Sequence, residues 1–120
     1  MTRVLIVDDH VGFRRVARAL LEPAGYEVVG EVADGASALR MVGELHPELV
    51  LLDIVLPDID GFEVCRRLRD QDDGPIVILI SSRDRDLYRP RLEASSAAGF
   101  IAKSDLTPAA VTALLDGTLR

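Results

Sequence analysis

Short, unbroken apolar runs recur along the chain, and each of them stops on a polar residue. The runs lie at 4–7, 49–52, 76–80 and, more briefly, 99–102. A run with no polar position has no face to turn toward water. Such strands must therefore be covered on both sides, which is the situation of a parallel sheet sandwiched between helices. The stretch 26–32 differs, because Glu27 and Glu31 interrupt its apolar residues. It reads as an edge strand with one wetter face.

Helical patterns fill the intervals. Phe13, Val16, Ala17, Leu20 and Leu21 recur at the spacing of one helix face, and Pro23 with Gly25 ends the pattern. Asp34 is placed to cap a second helix carrying Ala38, Leu39, Met41 and Val42, which closes before Pro47. Asp60, with Glu63 three residues on, opens a third that turns Val64, Cys65 and Leu68 inward. A turn is expected at 72–75, where Asp72 and Asp73 precede Gly74 and Pro75. Between 83 and 98 Pro90 interrupts the pattern, so the fourth helix is expected to be short, kinked or partly irregular. Thr107 before Pro108 caps a last helix that buries Val111, Leu114 and Leu115. Strand and helix thus alternate throughout, which defines an α/β fold with a five-stranded parallel sheet and right-handed crossovers.

Composition narrows the class. With 120 residues, 48% hydrophobic and 28% charged, the chain reads as one folded domain spanning 1–120. No apolar run approaches the roughly 18 residues a bilayer demands. Residues 1–7 are too short for a signal peptide and run straight into Asp8 and Asp9, so no membrane association and a cytoplasmic location are expected. Cys65 is the only cysteine, which leaves no disulfide framework and no cysteine metal site. A net charge of -6 opposes direct nucleic-acid binding by this segment, since that binding rests on basic residues neutralising phosphates.

In a parallel sheet every strand ends on the same edge, so the residues that follow the runs are delivered to one place. Those residues are Asp8 and Asp9, then Asp53, then Ser81 and Ser82, then Lys103. Taken singly each has an ordinary reading. An aspartate pair caps a helix, Asp53 belongs to a turn before Pro57, a serine caps the next helix, and a lysine is a solvated charge. Their coincidence at all these strand ends points to chemistry instead. Close carboxylates repel one another unless a cation offsets them. An oxygen-only site of this kind suits Mg²⁺, which keeps several waters and commonly sits beside a phosphate. A carboxylate can serve as the nucleophile that forms an acyl phosphate, and the lysine and hydroxyl can meet the charge on the transferred group. His10 and His46 read as capping or surface residues, and no glycine-rich nucleotide loop is present.

With those residues in view, the chain resembles the receiver domain of two-component response regulators over essentially its whole length. The resemblance rests on Asp8, Asp9 and His10 after the first strand, and on Asp53 with Pro57, Asp60 and Gly61 after the third. Ser81 after the fourth strand and Lys103 after the fifth complete it. It implies a flavodoxin-like, doubly wound (βα)5 fold with strand order 2-1-3-4-5. It implies that Asp53 accepts a phosphoryl group from a sensor histidine kinase. Asp8, Asp9, Asp53 and the backbone carbonyl of Val55 are then the Mg²⁺ ligands, and Ser81 and Lys103 contact the phosphoryl oxygens. Ser81 and Phe100 form a switch that acts on the surface of the fourth helix, fifth strand and fifth helix, through which a homodimer can form. The domain is not an enzyme beyond assisting its own phosphorylation and dephosphorylation. The Asp8, Asp9, His10 triplet is similar to the subfamily whose members carry a LuxR-type DNA-binding output domain, which these 120 residues do not include.

Departures from the commonest pattern are Ser104 where a proline often follows the lysine, Pro90 in the fourth helix, and Phe100 where a tyrosine is frequent. They leave open an alternative, a pseudo-receiver that binds partners without phosphorylation. A dehalogenase-like phosphatase would carry a second aspartate at position 55, where this chain has Val55.

Overall fold

A computed structural model describes residues 1–71 and 74–118, so Asp72 and Asp73 of the expected turn lie outside the described residues. The strands are β1 (Arg3–Val7), β2 (Glu27–Val32), β3 (Leu49–Asp53), β4 (Ile76–Ser81) and β5 (Gly99–Ala102). All pair in parallel, in the order β2-β1-β3-β4-β5. The helices are α1 (Val11–Leu21), α2 (Gly35–Leu45), α3 (Gly61–Arg69), α4 (Arg89–Ala94) and α5 (Pro108–Thr118). This is the flavodoxin-like doubly wound arrangement, with β2 on an outer edge.

Successive strand residues point to opposite faces, and both faces are dry. Val4, Ile6, Leu49, Leu51, Ile78 and Ile80 meet α1 and α5 through Ala17, Leu21, Val111 and Leu115. Leu5, Val7, Val50, Leu52 and Leu79 meet α2 and α3 through Ala38, Val42, Val64 and Leu68. The runs are unbroken for this reason: a polar residue at any of those positions would be buried in one layer or the other. Every residue of β3 is buried, and each of its leucines contributes about 2 kcal/mol of hydrophobic stabilisation.

Capping follows the residues expected to provide it. Asp34 accepts from the Ser37 amide at 2.7 Å, Asp60 from Glu63 at 2.9 Å, and the Thr107 hydroxyl from Ala110 at 3.1 Å. The carboxylate of Glu63 turns to Arg66 and Arg67. Gly25 takes a φ of 98° to end the turn after α1, a conformation that favours glycine.

Two expectations change. Val16 is 54% exposed: it stands at the margin of the stripe formed by Phe13, Ala17, Leu20 and Leu21, and the sheet reaches only the centre of that stripe. Pro90 does not interrupt a helix. Residues Arg85–Tyr88 form a 3-10 turn, and α4 starts at Arg89 with Pro90 in its first turn, where a missing amide hydrogen costs nothing. The segment is short and irregular, as expected, but the proline begins the α-helix.

Candidate functional site

Strand register brings the polar residues together. Val7 pairs with Leu52, so Asp8 and Asp53, the next residues, emerge side by side at the carboxyl edge. Ser81 pairs with Ala102, which puts Lys103 one step beyond it. Asp8 is fully buried, Asp53 is 3% exposed and Ser81 1%. Asp53 is thus the last residue of a central strand and not a turn residue.

Lys103 ties the group together. Its Nζ lies 2.6 Å from Asp8 Oδ2 and 3.1 Å from Asp53 Oδ2, and 4.9 Å from the centre of the Phe13 ring, within cation–π range. The other Asp53 oxygen accepts the Val55 amide at 3.1 Å. Asp8 Oδ1 accepts the His10 amide at 2.8 Å, and the Asp8 carbonyl accepts from Arg14 at 2.5 Å. The Ser81 hydroxyl accepts the Arg83 amide at 3.0 Å. A cleft of about 150 Å³ opens among these groups, with Asp53, Ser81 and Lys103 in it and Val55, 52% exposed, on its rim. Arg83 also lines the cleft, a position the sequence reading did not single out.

The electrostatics are those of crowded carboxylates. Burial pushes the Asp53 carboxyl above its ordinary range and the charge of Asp8 adds to the effect, while Lys103 opposes both. Burial would lower the Lys103 ammonium, but the neighbouring carboxylates of Asp8 and Asp53 outweigh it, so its pKa is raised. The short contact from Lys103 to Asp8 Oδ2 lies off the hydrogen-bond direction. That oxygen is therefore a fully buried acceptor met by the Lys103 charge without a directed bond, and one lysine faces two buried carboxylates.

Asp8, Asp9, His10 and Asp53 each offer a ligand atom within 4.8 Å of the others. The buried, undirected Asp8 oxygen and the oxygen-rich donor set fit a divalent cation. His10, read from the sequence as a capping or surface residue, is 71% exposed and has its ring beside this group. It occupies the N-cap of α1 without a side-chain capping bond, and its Nδ1 stands 3.2 Å from Asp8 and 3.1 Å from Asp9. The triplet of Asp8, Asp9 and His10 was the available signal, but only the path of the chain into α1 turns the imidazole back over the carboxylates.

Phe100 is 6% exposed and faces inward beside Tyr88, with ring centres 6.5 Å apart. Tyr88 continues to Phe62 at 6.0 Å, and Arg91 lies 4.2 Å over the Phe62 ring while pairing with Asp60 at 2.7 Å. The loop after β3 and α4 are thereby joined through α3's first turn. The Asp58 carboxylate accepts the amides of Gly35 and Ala36 at 2.8 and 2.9 Å, fastening the same loop to the start of α2.

Fold and site together define a doubly wound α/β domain with an acidic, lysine-bridged centre at the carboxyl edge of its sheet. The family model for the response regulator receiver domain matches residues 4–115, and the chain belongs to that family, the signalling domain of two-component response regulators. It is 39% identical to the virulence-factor transcription regulator BvgA of Bordetella pertussis, over 86% of this chain and 49% of that protein. It is 34% identical to the transcriptional regulatory protein YdfI of Bacillus subtilis, over 86% and 48%. The chain spans about half the length of these relatives. Among solved structures, a LuxR-family response regulator from Aurantimonas superposes with a TM-score of 0.85 at 30% identity, covering 99% of this chain and 86% of that one. The BeF3-activated receiver domain of Klebsiella pneumoniae RstA gives 0.82 at 34% identity, covering 99% of each. Among the described residues no helix is long and apolar enough to cross a membrane.

Proposed function

We propose that residues 1–120 act as one phosphorylation-controlled receiver domain, with Asp53 as the phosphoacceptor and a sensor histidine kinase as the donor. The observation that carries this reading is the position of Lys103, whose ammonium reaches both Asp8 and Asp53 at the mouth of a small polar cleft. In the reaction an Asp53 oxygen attacks the phosphorus of a phosphohistidine. The new oxygen–phosphorus bond forms as the nitrogen–phosphorus bond breaks, and the imidazole leaves with its electron pair. Lys103 then exchanges its contact with Asp53 for the phosphoryl oxygens, and the Ser81 hydroxyl donates to another of them. Both groups are already held at the sheet edge by the strands they end or follow, so only their side-chain partners change on transfer.

Asp8, Asp9, Asp53 and the backbone carbonyl of Val55 would hold Mg²⁺. When bound, the ion offsets carboxylate charge and polarises the phosphoryl oxygens. Two features of this chain support that assignment: the buried Asp8 oxygen without a directed donor, and the raised Asp53 carboxyl. The BeF3-activated state named for the related RstA receiver agrees with acyl-phosphate chemistry at this position.

The output side follows from packing. Ser81 gives up its bond to the Arg83 amide as it turns toward the phosphoryl group, and Phe100 repacks against Tyr88 in response. Phe100 has no hydroxyl, so the switch works by packing alone and shifts the surface of α4, β5 and α5 between two arrangements. That surface serves a homodimer or an output segment. The transcription regulators to which this chain is similar, at about half their length, favour a DNA-binding output outside these residues. The acidic domain itself makes no nucleic-acid contact, has no membrane partner, works in the cytoplasm and catalyses only its own phosphorylation and dephosphorylation.

The test is intact mass after treatment with acetyl phosphate and Mg²⁺. One phosphoryl group is expected on the unmodified chain and none on Asp53→Ala. An unmodified chain that takes no phosphoryl group would favour the pseudo-receiver reading.

A further inference from the structure

Few contacts hold α4 in place. It is six residues long, none of them is buried, and Leu92 only leans on the core layer formed with α2 and α3. Among the described residues, Arg91 makes the one side-chain hydrogen bond from α4 that leaves the segment 85–95. It donates to Asp60 Oδ2 at 2.7 Å, and its guanidinium lies 4.2 Å over the Phe62 ring. A cavity of about 250 Å³ opens between the two helices there, with Phe62 and Cys65 on the α3 side and Arg91 and Ala94 on the α4 side. The short helix is thus strapped across open space, which leaves it room to move.

The other end of the strap sits on the loop that follows Asp53. Asp60 Oδ1 accepts the Glu63 amide at 2.9 Å, and the adjoining Gly61 amide donates to the Ile54 carbonyl at 2.8 Å, one residue past Asp53. A shift of the backbone at Asp53 is therefore carried to Asp60, and the ion pair must follow or break. Arg91 and Asp60 are 53% and 47% exposed, so water competes for both and breaking the pair is easy. We propose that Arg91 is an autoinhibitory strap: by holding Asp60 and Phe62 it keeps α4 in the resting arrangement, and phosphorylation of Asp53 releases it. This route reaches α4 through the loop after β3 without Ser81, and it rests on the proposed function. Coupling of this kind is reciprocal. If the phosphoryl group weakens the strap, cutting the strap favours the phosphorylated state.

Hydrogen exchange of residues 89–95, read by mass spectrometry before and after treatment with acetyl phosphate and Mg²⁺, tests it on the unmodified chain, Arg91→Gln and Asp60→Asn. Asparagine caps a helix as well as aspartate does, so the second variant removes the charge Arg91 pairs with and keeps the start of α3. In the unmodified chain, phosphorylation is expected to speed exchange of this segment about fivefold, the size set by a half-exposed ion pair with one cation–π contact. Each variant should show that faster exchange before treatment and gain less than about twofold on treatment. Each should also take up phosphoryl groups from acetyl phosphate about fivefold faster. The double variant should match either single one, since the two substitutions remove the same interaction. Exchange that ignores phosphorylation in the unmodified chain, variants that keep its full response, or an unchanged uptake rate overturns the strap alone, and phosphorylation of Asp53 stands. A chain that takes no phosphoryl group removes the proposed function together with it.

Discussion

Asp53 Oδ2 and Lys103 Nζ stand 3.1 Å apart although fifty residues separate them in the chain. The same ammonium meets the fully buried Asp8, so one side chain offsets two carboxylates that would otherwise repel. Lys103→Met should therefore lower stability at neutral pH by about 2 kcal/mol, below the usual loss for breaking a buried ion pair because Lys103 is partly solvated. Asp53→Asn should act in the opposite direction, because it removes a buried charge whose ionisation folding disfavours. Urea denaturation of both variants in the presence of a chelator would show the two shifts; parallel shifts would contradict this account of the site.

Gly61 lies against the strand that carries Asp53. A Cβ at position 61 would come 2.4 Å from the Asp53 carbonyl oxygen and 2.8 Å from Ile54 Cα. Both are backbone atoms that cannot swing aside. Gly61→Ala should cost about 2 kcal/mol through forced displacement of that backbone, read as a lower urea midpoint, and should reduce phosphorylation by acetyl phosphate as Asp53 moves.

Glu63 on α3 pairs with Arg66 at 2.6 Å and Arg67 at 2.8 Å. Their guanidinium groups bring its carboxyl from 4.5 down to about 2. A depressed carboxylate contributes stability that is present above its unfolded pKa and disappears as pH falls through the folded one. Glu63→Gln should thus be less stable than the unmodified chain at pH 7, and the gap should close between pH 4.5 and about 2. Thermal melts across that range would check it, and a gap independent of pH would show that charge is not the cause.

Val55 stands on the cleft rim and has no polar group to orient a water molecule toward the Asp53 phosphoryl. The phosphorylated domain should be long-lived, its half-life well beyond seconds. Val55→Asn, which supplies an amide there, should shorten that lifetime by about tenfold or more. Loss of the phosphoryl mass with time would measure both.

The sheet and the gathering of the candidate site residues at its carboxyl edge were legible because local pattern dictated them. An apolar run buried on both faces admits no polar residue until it leaves the core. The end of each run therefore marks the edge of the sheet, and Asp8, Asp53, Ser81 and Lys103 sit at those ends. Helix caps at Asp34, Asp60 and Thr107 were legible for a similar reason, since a cap bonds an amide two or three residues away. Pro90 was misleading because the same residue breaks a helix interior and starts a helix, and the choice depends on where α4 docks.

What the chain by itself determined was the set of elements, their parallel arrangement and the chemical groups delivered to the edge. Tertiary structure decided what those groups touch. The return of His10 over Asp8 and Asp9, the bond from Asp58 to the start of α2, and Arg91 reaching Asp60 and Phe62 join elements whose spacing along the chain carries no period. Such contacts depend on helix docking angles, which are set by the packing of whole faces and not by any one residue's neighbours in sequence.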